Sequence, residues 1–116
     1  KELDVWKQSM SFVEGIYALT RCFPDEEKFG LSSQLRRASV SIPSNISEGA
    51  ARQGKKEFEH FLYIALGSAA EVETQLELVC RLGFASESIV SIEQENLRRI
   101  RQMLLGMIRH LKRADT

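Results

Sequence analysis

The chain has 116 residues, of which 43% are hydrophobic and 28% are charged, and its formal net charge at pH 7 is zero. This length suits one domain with its own core, and the balanced charge excludes a general attraction to nucleic acid or membranes. The two cysteines form no disulfide framework, and the first 30 residues show no signal-peptide pattern. Phe61–Ala70, one of the longest uncharged runs, is shorter than the ~20 residues that span a bilayer. We therefore expect a reduced, cytoplasmic protein without a membrane partner.

Apolar residues recur every three or four positions along nearly the whole chain, which predicts helices and no strands. The first helix is predicted at about Asp4–Arg21, before the pair Phe23-Pro24. Asp25 is a good N-cap residue, so the second helix is predicted at about Glu26–Ala51.

Pro43 falls within this second helix. A proline inside a helix loses one hydrogen bond and clashes with the carbonyl four residues earlier, here that of Ser39, at a cost of roughly 3 kcal/mol. Polar and apolar residues nevertheless keep the same helical phase on both sides of Pro43. We therefore expect one long, kinked helix with the proline directed outward. The alternative is a break at Ile42, with Pro43 beginning a new helix.

The third helix is predicted at Lys55–Leu82. Its core residues alternate in steps of four and three, as in a coiled coil: Phe58, Leu62, Ala65, Ala69, Val72, Leu76 and Val79. The opposite side, which we call the outer face, carries no charge, and its residues are Tyr63, Gly67, Ala70, Thr74 and Leu78. A helix at the surface of a monomer normally shows charged residues to water. We therefore expect a second copy of the chain to cover this face.

The fourth helix is predicted after Gly83, a plausible helix stop, with Ser86 as its N-cap. Its apolar stripe is predicted to consist of Ile89, Ile92, Leu97, Ile100, Leu104, Ile108 and Leu111. Four long helices with short connections predict an all-α protein, an antiparallel up-down-up-down four-helix bundle that forms one domain over residues 1–116.

A stripe of mostly short polar residues follows one side of the second helix, and it consists of Gln34, Arg37, Ser41, Asn45, Glu48 and Arg52. In one interpretation, Arg37 pairs with a carboxylate of a neighbouring helix, Glu71 being the first choice. Ser41, Asn45 and Ser68 then complete a polar network inside the molecule or at a subunit interface.

In the other interpretation, basic residues of this region contact phosphates and Asn45 adds specificity. Six basic residues stand against Glu48 alone between positions 28 and 56, and six basic residues occur without an acid between positions 98 and 113. The phosphate contacts of this region would come from Arg36, Arg37, Arg52, Lys55 and Lys56. With Arg37 assigned to the polar network, the candidate nucleic-acid-binding residues are Arg36, Arg52, Lys55, Lys56, Arg98, Arg101 and Arg109. Arg36 falls on the outer side of the helix, where it is free for a phosphate while Arg37 is paired. For the fourth-helix residues the alternative is a solvated bundle surface.

Signatures of catalysis are weak throughout the chain. Glu57 and His60 form one Glu-x-x-His pair, whereas di-metal bundles use two such pairs and two further glutamates. Cys22 and Cys80 have no Cys-x-x-Cys partner, so buried structural thiols are expected. The sequence contains neither a Gly-x-Ser-x-Gly elbow nor a phosphate-binding glycine loop. We therefore expect no enzyme activity, no metal and no cofactor.

A series of short motifs runs along most of the chain. They are Leu3-x-Val-Trp6, Phe23-Pro-x-Glu26, Phe29-Gly-Leu31, Gln34-Leu-Arg-Arg-Ala-x-x-Ser41-Ile-Pro-Ser-Asn45-Ile-x-Glu48-Gly49, Lys56-Glu-Phe58, Ala65-x-Gly67-Ser68, Glu71 and Leu82-Gly83. In these motifs the chain resembles the small four-helix bundle proteins encoded within intervening sequences of bacterial large-subunit ribosomal RNA genes. That family includes the accessory variability determinant of diversity-generating retroelements.

The resemblance implies a homopentameric ring of bundles without enzymatic activity. It also implies a link to nucleic acid, through a basic surface from which this neutral chain departs. Our first hypothesis is a non-enzymatic oligomeric bundle that acts as a binding or scaffold protein, with RNA as the leading candidate ligand. The alternative is a protein–protein adaptor with no nucleic-acid ligand.

Overall fold

The computed structural model describes residues 2–114, and the side chains of residues 3–113, as four α-helices and one short 3-10 helix. The α-helices are α1 (Glu2–Thr20), α2 (Leu31–Ala50), α3 (Lys55–Arg81) and α4 (Glu87–Ala114), and the 3-10 helix is Asp25–Glu27. Each α-helix packs on the next, α4 also packs on α1, and neither diagonal pair makes close backbone contact within the described chain. The molecule measures 49 × 24 × 19 Å. The predicted all-α, up-down-up-down four-helix bundle is confirmed, while its assembly into a ring stays a prediction.

One apolar stripe from each helix forms a single core. The predicted stripe of α3 is buried from Leu62 to Val79, and its first member, Phe58, is half-buried. In α4 the prediction is wrong at the start of the stripe, because Ile89 and Ile92 are 51% and 61% exposed. Val90 is fully buried in their place. Val90 precedes Leu97 by seven residues, close to two helical turns, and therefore shares its face.

The start of α2 also differs from the prediction, because Asp25 caps no α-helix. Residues Asp25–Glu27 form a 3-10 turn, and α2 begins only at Leu31, after Gly30 adopts a non-helical backbone. The Glu27 carboxylate accepts a hydrogen bond from the Leu31 amide over 3.1 Å. This bond satisfies one of the amides that a helix N-terminus leaves without an internal partner.

Pro43 lies inside α2, so the predicted continuous helix is confirmed. The predicted outward direction is wrong, because Pro43 is buried. It lines a surface hollow together with Trp6, Met10 and Val13 of α1. The side of α2 opposite its polar stripe is therefore covered by α1 instead of water.

The turn between α3 and α4 agrees with its sequence. Gly83 has φ of +74°, a conformation that favours glycine. Its amide bonds to the Cys80 carbonyl over 3.1 Å and the Phe84 amide to the Val79 carbonyl over 3.0 Å, which is the Schellman pattern. The Ser86 hydroxyl accepts a hydrogen bond from the Ile89 amide over 3.3 Å, so the predicted N-cap is confirmed.

Candidate interaction surfaces

Three residues of the predicted polar network meet between α2 and α3. The hydroxyl oxygens of Ser41 and Ser68 lie 2.8 Å apart. The Asn45 amide donates to the Ser41 carbonyl over 2.8 Å and to the Ser41 hydroxyl oxygen over 2.9 Å. All three side chains are half-buried, and the hydroxyl pair joins the two helices. The cluster therefore joins α2 to α3 within the bundle. Short hydrogen-bonding groups suit this structural role.

Arg37 and Glu71 do not form the predicted pair, and both side chains are exposed. The Glu71 carboxylate accepts a hydrogen bond from the Gln75 amide over 3.2 Å. Arg37 makes no hydrogen bond or ion pair with any described residue. Both side chains lie toward water, where an ion pair gains little over two solvated charges.

Arg36, and not Arg37, is the arginine that contacts a neighbouring helix. Its Nε donates a hydrogen bond to the Thr20 hydroxyl of α1 over 2.8 Å. Its guanidinium carbon lies 4.5 Å from the centre of the Tyr17 ring, a cation–π distance. The prediction that Arg36 faces outward is therefore wrong, because α1 packs on the side of α2 where Arg36 lies.

Gln34, at the start of the polar stripe, is exposed, and Glu48, near its other end, pairs with Arg52, which lies just beyond the end of α2. Glu48 accepts a hydrogen bond from Arg52 over 2.7 Å. Arg52 also lies 3.7 Å from the Glu57 carboxylate and 4.9 Å from the centre of the Phe61 ring. The charge of Arg52 is thus partly balanced by two carboxylates of the same chain.

Two of the three basic candidates of α4 are also paired. Arg98 donates to Glu95 through Nε over 3.0 Å, and this bond lowers the pKa of the Glu95 carboxyl. Arg101 pairs with Glu73 of α3 over 3.1 Å. Arg109 is exposed and forms no ion pair with a described residue. The predicted basic side of α4 is therefore largely a network of ion pairs, with Arg109 outside it.

The remaining basic candidates lie at one end of the bundle. Lys55 and Lys56 begin α3, and Arg109 lies in the last part of α4, which is antiparallel to α3. All three are exposed, and Lys56, like Arg109, has no ion pair among the described residues. The fold thus brings together basic residues that are more than fifty positions apart in sequence, while Arg36 lies toward the opposite end.

The outer face of α3 is open to solvent. Tyr63 and Leu78 are 47% and 42% exposed, and the adjoining Ile64 is 37% exposed. Gly67 between them is also exposed, and a Cβ built on it would meet no atom within 4 Å. Lys112 of α4 covers part of this face, because its Nζ lies 5.7 Å from the centre of the Tyr63 ring, whereas Gly67 and Leu78 stay open to solvent.

Sequence reasoning missed Glu93, which lies between α4 and α1. Its carboxylate occupies the space beside Gly15, where a Cβ would lie 2.6 Å from Oε2. Burial raises the pKa of this carboxyl, and a hydrogen bond from Asn96 opposes that effect. The sequence feature that could have identified Glu93 is its position, three residues after Val90 and four before Leu97, which puts it in phase with the core.

The side chains that could bind a metal ion do not come together in the described part of the chain. No group of three or more His, Cys, Asp or Glu side chains in residues 3–113 could hold a metal ion. Cys80 is half-buried, but Cys22 is exposed in the turn after α1, so the expectation of two buried thiols is wrong for Cys22. No helix within the described range is long and apolar enough to cross a membrane.

Residues 1–106 match the model of the 23S rRNA-intervening sequence protein family. The chain belongs to this family. A crystal structure of a protein of unknown function from the S23 ribosomal protein family of Bacteroides thetaiotaomicron is similar, with 29% sequence identity and a TM-score of 0.86. The alignment covers 93% of this chain and 97% of that one. No curated protein matches the sequence significantly.

Membership in the intervening sequence protein family confirms the resemblance drawn from the motifs. The matched residues include the polar stripe of α2 and the whole outer face of α3. Arg109 lies beyond the matched residues, whereas Lys55 and Lys56 lie within them. The family model therefore covers all of the outer face of α3 but only part of the basic group formed by Lys55, Lys56 and Arg109.

Proposed function

We propose that this protein is a non-enzymatic scaffold that assembles from several identical copies and binds its ligand in the assembled form. The observation that carries this proposal is the exposed, uncharged outer face of α3. Tyr63 and Leu78 are nearly half exposed there, although their helix supplies a full stripe of other residues to the core. Exposed apolar patches of this kind mark sites of protein association. A pentamer is the favoured assembly, since the family resemblance implies one.

Gly67 supports assembly through the same face. Glycine within a helix is less favourable than alanine by roughly 0.5–1 kcal/mol. Gly67 lies in the middle of α3, and no atom of the chain approaches it closely enough to exclude a Cβ. Packing within one chain therefore does not explain the glycine, whereas close approach of another helix does.

Nucleic acid, with RNA first, is the proposed ligand. Lys55, Lys56 and Arg109 lie at one end of each bundle, and a closed assembly would repeat this basic end once per copy. Repeated weak phosphate contacts add up, so a neutral chain with a basic end can bind a polyanion. Arg36, Arg52, Arg98 and Arg101 contribute less to this surface than Lys56 and Arg109, because each of the four already has a partner within the chain.

A protein–protein adaptor is the second candidate. The end of the bundle opposite Lys56 exposes three large apolar side chains, Leu82, Ile89 and Ile92, at 56%, 51% and 61%. These residues flank the turn between α3 and α4. Apolar side chains grouped around a turn suit contact with another protein better than contact with a phosphate backbone.

The test is light scattering on a sizing column at low and high salt, with absorbance recorded at 260 and 280 nm. A mass of several chains with 260 nm absorbance that high salt removes supports a scaffold that binds nucleic acid. The same mass with a clean protein spectrum favours the adaptor. A monomer at all concentrations overturns the proposal.

A matched pair of variants tests the ligand surface. Lys56→Ala with Arg109→Ala is expected to weaken binding of a single-stranded RNA oligonucleotide and to reduce the slope of log affinity against log salt by ~1 per lost contact. Arg98→Ala, which removes a paired arginine, is the control and is expected to leave that slope unchanged. Equal effects of both variants would contradict the proposed basic end.

A further inference from the structure

Arg37 and Glu71 lie at the same level of the bundle on neighbouring helices. The contact between Ser41 and Ser68 fixes the register of antiparallel α2 and α3. Arg37 precedes Ser41 by one helical turn and Glu71 follows Ser68 by about one turn, so both lie in the same direction from that contact. Opposite charges at one level would ordinarily face each other across the two helices.

The two side chains nevertheless remain apart in the single chain. Both are exposed, and the carboxylate bonds only with Gln75 of its own helix among the described residues. On the helical wheel Arg37 lies toward the outer side of α2, and Glu71 lies between Ser68 and the outer face of α3. Each charge is therefore directed away from the bundle and is available to a molecule that packs on it.

The exposed residues of α2 and α3 that lie nearest to these two charges on the helical wheels are uncharged, and a further cation, Lys112 of α4, lies 5.7 Å from the Tyr63 ring at the far end of the outer face. On α2 it contains Val40, which is 39% exposed, and the exposed Ser44. On α3 it contains the outer face, from Tyr63 to Leu78. A partner must therefore match an apolar surface that carries one cation and one anion. A second copy of this chain presents that same combination.

We propose that Arg37 of one copy pairs with Glu71 of another copy across the outer face of α3. This inference rests on the proposed assembly and names the residues that hold it together. A nucleic acid fits the surface less well, because the Glu71 carboxylate would repel its phosphates. A second copy supplies an opposite charge for each residue, and burial of the pair between subunits strengthens an attraction that water would screen.

The experiment uses the full chain with charge reversals. Arg37→Glu and Glu71→Arg each place like charges opposite one another between copies, and each is expected to raise the concentration at half-assembly by about tenfold or more. The double variant Arg37→Glu with Glu71→Arg restores opposite charges and is expected to assemble nearly as well as the original chain. Native mass spectrometry over a dilution series measures the populations.

Mixing the two single variants separates a pair between copies from a pair within one chain. Contacts between different variants join opposite charges, whereas contacts between identical variants join like charges. A mixture is therefore expected to form assemblies that contain both variants, although each alone dissociates; a ring of five can join opposite charges at four of its five contacts. A pair within one chain would not respond to mixing, and a mixture that assembles no better than either variant alone overturns the inference.

Matched controls come from α1, which does not contact α3. Lys7 and Glu14 are exposed and have no ion pair among the described residues. Lys7→Glu and Glu14→Lys change the net charge as the test variants do and are expected to leave assembly unchanged. If the original chain assembles, and if Arg37→Glu and Glu71→Arg weaken assembly no more than these controls do, the Arg37–Glu71 inference fails while the scaffold proposal stands. If the original chain is a monomer, both the Arg37–Glu71 inference and the scaffold proposal fail.

Discussion

Arg36 of α2 donates a hydrogen bond to the hydroxyl of Thr20 near the end of α1, and its guanidinium lies over the ring of Tyr17. This contact ties together two helices that the chain connects through a turn and a short 3-10 segment. The neighbouring Arg37 lies on the exposed side of the same helix without a partner in the described chain. Two adjacent arginines therefore have different roles, one within the bundle and one at its surface.

The Arg36→Ala variant is expected to lower the free energy of unfolding by about 1–2 kcal/mol, because it removes a part-buried hydrogen bond and a cation–π contact. The Arg37→Ala variant is expected to change it by less than about 0.5 kcal/mol in the monomer, as most exposed substitutions do. Urea unfolding below the concentration of half-assembly measures both. An equal loss in the two variants would contradict the assignment.

Gly49 and Gly67 differ in what an added methyl group would meet. At Gly49 a Cβ would lie 2.8 Å from the Phe61 Cβ and 3.3 Å from the Phe58 carbonyl oxygen, so Gly49→Ala is expected to lower the free energy of unfolding by about 1–3 kcal/mol. Gly67→Ala meets open space and is expected to raise it by roughly 0.5–1 kcal/mol in the monomer. Thermal unfolding compares the two. Gly67→Ala should also weaken assembly, and an unchanged assembly would remove Gly67 from the interface.

Asn45 holds the network between α2 and α3 through Ser41. The Asn45→Ala variant is expected to lower the free energy of unfolding by about 1 kcal/mol, since it removes two part-buried hydrogen bonds from one amide. Ser68→Ala removes the far end of the same network. The combined variant should lose less than the sum of the single losses, because the three groups share partners. Additive losses in a double-mutant cycle of urea unfolding would show that the groups act independently.

Glu93 makes stability depend on pH with a definite sign. Its pKa is raised in the folded protein by burial between α4 and α1. Between its ordinary pKa and the raised value, the folded state binds more protons than the unfolded state, so the free energy of unfolding falls as pH rises through that window. Glu93→Gln should remove this decline and stabilise the protein at neutral pH.

Calorimetry between pH 4 and pH 7 gives the measurement, and Glu95→Gln is its control. The pKa of the exposed Glu95 is lowered by Arg98, so any stability from Glu95 is lost as pH falls, which is the opposite sign. A decline with rising pH that persists unchanged in Glu93→Gln would show that another group is responsible.

Much of the fold could be predicted from the sequence because its signals are local. Helix periodicity placed the bounds of α3 within a residue of Lys55–Arg81, and Gly83 and Ser86 marked the next turn. The start of α2 was missed because Asp25 has the chemistry of an N-cap whether an α-helix or a 3-10 turn follows. Gly30, whose backbone separates the two, has no side chain to signal it.

The sequence by itself determined the four-helix bundle, the family, the uncharged outer face of α3 and the stripe of short polar groups on the second helix. The tertiary structure alone decided which neighbours those groups have. Adjacent helical residues point ~100° apart, so Arg36 and Arg37 face different neighbours, and their order in the sequence does not say which of the two is covered. Only the placement of α1 against α2 assigns Arg36 to the bundle, and only the packing of α4 on α1 buries Glu93. Such contacts depend on residues distant in the chain, which helical periodicity does not encode.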